Sequence, residues 1–163
     1  YQRTSEALTY AEKIYGISPE DIDAKNYIAL AEIEKMALKN VSAVRLVELD
    51  ELLEKYPFLE EFGIYKRYQV YLYSFLAANS FHNNKKDAAQ RYLLQLERIL
   101  GDEDHGKIDF DHRAIGEAYG EAGSYFYRNS QKENAINILN RGMKFSPENE
   151  NIKRKIRLIK NSY

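Results

Sequence analysis

The stretch Tyr119–Pro147, YGEAGSYFYRNSQKENAINILNRGMKFSP, decides the fold. Ala122 and Gly123 lie one helical turn after Tyr119 and one turn before Phe126, while Ala135, Leu139 and Gly142 form a second stripe at i, i+4, i+7 spacing. Both stripes have the helical period. Asn129 and Ser130 between them are turn residues whose side chains can take over backbone hydrogen bonds, and Pro147 ends the unit. Two antiparallel helices follow.

Outward from this hairpin, the 163-residue chain is 44% hydrophobic and 30% charged, enough apolar content for a core and enough charge for a soluble surface, and it reads as a single domain over residues 1–163. With 24 basic against 25 acidic residues, the overall charge points to neither nucleic acid nor a membrane surface. No apolar run is long enough to span a bilayer, and no signal-peptide core opens the chain. The absence of cysteine excludes disulfides, thiolate zinc sites and cysteine nucleophiles. The chain reads as soluble, with the cytoplasm favoured over secretion or the periplasm. It opens on Tyr1 within a helical pattern, so it reads as part of a longer protein.

The periodicity predicts about eight helices and no strand. They cover Ser5 to Pro19, Glu20 to Lys39, Ser42 to Lys55, Tyr65 to Asn83, Lys85 to Leu100, Phe110 to Arg128, its mate to Phe145, and Pro147 to Lys160. Breaks are expected at Tyr56 to Gly63 and at Gly101 to Asp111. Ile17-Ser18-Pro19-Glu20-Asp21 parallels Phe145-Ser146-Pro147-Glu148-Asn149, with Ser read as the N-cap and Pro as the first helical residue in both. In the last helix, Ile152, Ile156 and Ile159 share one face, and Lys153, Arg154, Lys155, Arg157 and Lys160 read as a solvated surface.

Tyr119, Gly123, Phe126, Ala135, Leu139, Gly142 and Pro147 occupy the places of the tetratricopeptide repeat, a helix-turn-helix unit of 34 residues, and residues 116–149 resemble it throughout. Tyr73, Ala77, Ala89, Leu93 and Leu96 fit a second repeat over 70–103, with Gly101 at the proline place. Ala7, Ala11 and Ile14 before Pro19 resemble the second helix of another. Residues 24–57 fit in two registers, one using Tyr27, Leu30, Ala31, Ala43 and Val47, the other Ala29, Ser42, Leu46 and Leu49. The resemblance implies an all-α, right-handed solenoid of helical hairpins with a C-terminal capping helix. Its incomplete first repeat would favour self-association.

The family's first helices line a concave groove for a peptide or partner protein. Position by position, the resemblance assigns that groove to Tyr71, Ser74, Ala78, Phe81 and His82 in one repeat and to Glu117, Gly120, Ser124, Tyr127 and Arg128 in the next. Aromatic walls, a small floor at Ala78, Gly120 and Ser124, and one cation, Arg128, are expected. Gly120 and Ser74 stand where chaperone-binding members carry Lys, and Ser124 and Ala78 where they carry Asn, so that carboxylate-gripping activity is not implied.

The expected function is a non-catalytic protein-interaction module with no metal or cofactor. A second reading is a sensor module in a signalling protein. A third, a metal-dependent enzyme, would use the acidic loop 102–112, where Asp102 and His105, and Asp109 and His112, are spaced i, i+3. The loop lacks the Gly and Glu of a calcium hand, having Lys107 and Arg113 in those places. Its simpler reading is a solvated connection with Asp109 or Asp111 capping the next helix.

Overall fold

A computed structural model describes residues 2–101 and 108–162. Among these residues the chain is all helical, without strands: α1 (Gln2–Ile17), α2 (Ile22–Ala37), α3 (Val44–Lys55), a 3-10 turn (Pro57–Glu61), α4 (Gly63–His82), α5 (Lys86–Leu100), α6 (His112–Arg128), α7 (Lys132–Phe145) and α8 (Glu150–Asn161). The chain, read from sequence as one domain, divides within α4 into two compact units, residues 1–68 and 69–163.

In the first unit α2 supplies most of the core, with Ala24, Ile28, Ala29, Ile33 and Met36 buried, joined by Ala11 of α1 and Leu49 of α3. Burial does not follow either of the two registers read for residues 24–57 throughout: Ala29 and Leu49 of the second are buried and so is Ala31 of the first, whereas Leu30 and Val47 of the first are 45% and 56% exposed. The break expected at 56–63 contains the 3-10 turn, which opens on Pro57 and buries Leu59 completely. Tyr56 ends α3 and reaches back to α1: its hydroxyl donates to Glu12 Oε1, which also accepts from Lys55 Nζ at 2.9 Å. The Tyr56 hydroxyl, then Lys55, holds the Glu12 carboxyl below its usual value.

The second unit contains two hairpins joined by one pattern of turn. Asn83 and Asn129 each bond back to the helix they leave, and Asn84 and Ser130, 46 residues apart, adopt left-handed φ of 58° and 59°. Lys85 N–H then reaches Ser80 O at 2.8 Å and Gln131 N–H reaches Phe126 O at 2.9 Å, the six-to-one bond of a Schellman motif. The same offset carries Ala89, Leu93 and Leu96 onto Ala135, Leu139 and Gly142, all of them buried. Where α6 and α7 cross, a Cβ on Gly123 would lie 2.5 Å from Leu139 Cγ, and one on Gly142 would lie 2.6 Å from the Tyr119 side chain. Tyr119 is fully buried, stacks on Phe145 and donates to Glu97 Oε1 at 2.8 Å. Burial and the neighbouring Glu97 charge both raise its phenol.

The N-caps read for the two Ser-Pro segments are corrected by the structure. Ser18 and Ser146 use their carbonyls to accept from Asp21 N and Asn149 N at 3.0 and 3.1 Å, so each Ser-Pro pair forms a turn before the helix. Asp21 and Asn149 are the caps, their side chains accepting from Ala24 N and Ile152 N. The two segments remain alike in detail. The cap expected from Asp109 or Asp111 is Asp111.

Candidate functional site

In the second unit, α4 turns Val70, Leu72, Leu76, Ala77 and Phe81 inward, which leaves Tyr71 and Phe75, one turn apart, on the outside at 37% and 41% exposure. Between them Ser74 is completely buried. Opposite stands the first turn of α6. Asp111 caps it, Oδ1 accepting from Arg113 N at 3.0 Å and Ala114 N at 3.1 Å. One turn on, Glu117 Oε1 accepts from Arg113 Nε at 3.3 Å.

These residues enclose a cleft of about 300 Å³, with Tyr71, Ser74 and Phe75 on one wall and Asp111, Arg113, Ala114 and Glu117 on the other. The walls combine aromatic surface, two carboxylates and one guanidinium. Ser74 Oγ makes no hydrogen bond among the described residues. An unpartnered buried hydroxyl costs about 1–3 kcal/mol, so this position is less stable than an alanine would be unless something else satisfies it.

The ten groove residues expected from sequence separate into distinct environments. Tyr71, Ser74 and Glu117 meet in the cleft. Phe81, expected on a groove wall, is a core residue with no exposed surface, its ring 5.6 Å from that of Tyr125 and 6.2 Å from that of Phe126. Tyr127, 46 residues later, is 41% exposed. Ala78 is half-buried, and Arg128 is exposed at the last turn of α6.

Gly120 and Ser124, expected with Ala78 as the small floor of the groove, lie under α8. Lys155 donates from Nζ to Gly120 O at 3.0 Å and to Ser124 Oγ at 2.5 Å, with Glu121 at 3.6 Å. Glu121 also approaches His82 Nδ1 at 3.5 Å. The close approach of α8 explains the neighbouring Gly116, where a Cβ would fall 1.8 Å from Asn149 Nδ2. The basic face read on α8 is therefore not uniformly solvated: the Lys155 side chain is only 19% exposed.

A second cavity, of about 440 Å³, opens between α5 and α7 over Phe81, Leu93, Phe126 and Ile138, with Lys86, Arg141 and several amide side chains at its rim. Arg141 is engaged by Glu97. Of the acidic loop considered for a metal, Asp102 and His105 lie outside the described residues. His112 Nδ1 is 3.1 Å from Phe145 O, and no three His, Asp or Glu side chains converge among the described residues. No helix among them is long and apolar enough to cross a membrane.

Phe75, Arg113 and Lys155 were missed in the sequence. Phe75 was findable, standing one turn from Tyr71 on the same face. Lys155 became visible as a contact only when α8 was placed. No protein-family model, curated protein or solved structure matches the chain.

Proposed function

We propose that the chain is a non-catalytic interaction module with tetratricopeptide-like hairpins wound as a right-handed solenoid, and that it binds a peptide segment of a partner protein in the cleft between α4 and α6. The observation that carries this reading is the cleft itself. Two exposed aromatics and an unsatisfied hydroxyl face the capped start of the next helix across a space that suits one or two side chains of an extended segment. Aromatic walls supply contact area at low entropic cost, and the capped helix holds its polar groups in fixed positions. The matching Schellman turns and the buried small residues of both hairpins support the repeat reading.

A selection from a library of random peptides tests it. Peptides enriched on the wild-type chain are expected to lose about tenfold or more in affinity for a Tyr71→Ser, Phe75→Ser double variant and to bind a Tyr10→Ser control unchanged. Enriched peptides that bind all three chains equally would show that the cleft is not the recognition surface.

A further inference from the structure

The two hairpins of the second unit present corresponding positions to the helix that follows each of them. Counted from the left-handed turn residues Asn84 and Ser130, Ser74 and Gly120 are equivalent, as are Ala78 and Ser124. Counted from the caps Asp111 and Asn149, Glu117 on α6 and Lys155 on α8 are equivalent, each the sixth residue after its cap.

At the second of these crossings the protein holds a primary ammonium. Lys155 Nζ rests on a carbonyl, Gly120 O, and a hydroxyl, Ser124 Oγ, with the Glu121 carboxylate at 3.6 Å. At the first crossing the following helix brings a carboxylate instead. Glu117 lines the cleft, and the Ser74 hydroxyl there has no hydrogen-bond partner among the described residues. Ser74 thus offers a hydroxyl where Gly120 offers only its carbonyl, Ala78 offers none where Ser124 does, and α6 brings the Glu117 carboxylate where α8 brings the ammonium.

We infer that the α4–α6 cleft receives the side-chain ammonium of a lysine carried by a peptide partner, with Ser74 Oγ and Glu117 as its acceptors and the Tyr71 and Phe75 rings flanking its aliphatic stem. This rests on the peptide-binding reading above and adds its chemistry. The charges lining the cleft favour a cation: Asp111 and Glu117 are negative, and Arg113, the one positive side chain among the described residues that line it, already engages Glu117. The positive end of α6 does not reverse this, because Asp111 meets its first-turn N–H groups. An ammonium over aromatic faces gains further, and one side chain suits a cavity at the small end of the range for ligands.

The test is an amide-shift titration of the full isotope-labelled chain with Nα-acetyl-lysine N-methylamide, beside the norleucine and glutamate analogues. The lysine compound is expected to move the amides of Tyr71, Ser74, Phe75 and Ala114, and Ser74→Ala and Glu117→Gln are each expected to weaken it by about tenfold. Ser74→Ala should keep or raise the thermal midpoint, so that its loss of binding is not a loss of fold. Equal binding of norleucine, with both variants unchanged, would overturn the ammonium and leave an apolar peptide cleft standing. Preference for glutamate, or no shift with any compound, would also overturn it. Peptides selected through Tyr71 and Phe75 that lack lysine would do the same while keeping the peptide reading, whereas selected peptides indifferent to both aromatics would remove both.

Discussion

A methyl group has no room at Gly142. Its carbon would sit 2.6 Å from both Cβ and Cγ of Tyr119 and 3.0 Å from Ile152 Cδ1, with Tyr119 held by its stacking and its bond to Glu97. Gly142→Ala is expected to lower the unfolding free energy by about 1–2 kcal/mol, the cost of overpacking less the gain in helix propensity. Gly16 in α1 has open space around it, so Gly16→Ala should be neutral or stabilising by up to about 1 kcal/mol. Urea denaturation of both variants checks the contrast, and equal effects would refute it. The small residues of the second hairpin were legible in the sequence because helix packing punishes added volume there. Phe81 was not, because its burial depends on the rings of Tyr125 and Phe126 on another helix, which no local spacing encodes.

Among the elements, the two turns of the second unit are built alike but from different residues. Asn84 and Ser130 both hold a left-handed backbone, a conformation that Asn tolerates better than Ser and Gly better than either. Ser130→Gly is expected to stabilise the chain by about 0.5–1 kcal/mol, and Asn84→Gly by less. Thermal unfolding of the two variants measures this, and a lower midpoint for Ser130→Gly would contradict it. The Asn-Ser pair announced its turn in advance, through side chains that compete for backbone groups. The Ser-Pro pairs misled because proline suits a helix start and a loop equally in sequence. Only the bonds from Asp21 N to Ser18 O and from Asn149 N to Ser146 O show that the helix begins later.

For the molecule as a whole, one expected acid response belongs to a contact within residues 1–68. There, Tyr56 and Lys55 depress the Glu12 carboxyl below its usual value of 4.5. A group depressed in the folded state adds stability above its unfolded pKa and loses it as the pH falls through the lower folded value. Wild type should therefore exceed Glu12→Gln in urea midpoint at neutral pH, and the two should converge in strong acid. A difference independent of pH would remove Glu12 from the acid response. The sequence by itself determined the helices, the hairpin at Tyr119–Pro147 and its small-residue seam, because periodicity, turn chemistry and volume act over a few residues. The tertiary structure alone decided that Phe81 is core, that Lys155 covers Gly120 and Ser124, and that Ser74 and Glu117 face one cleft. Those outcomes depend on which helix arrives opposite, and contacts between residues distant in the chain leave no local period to read.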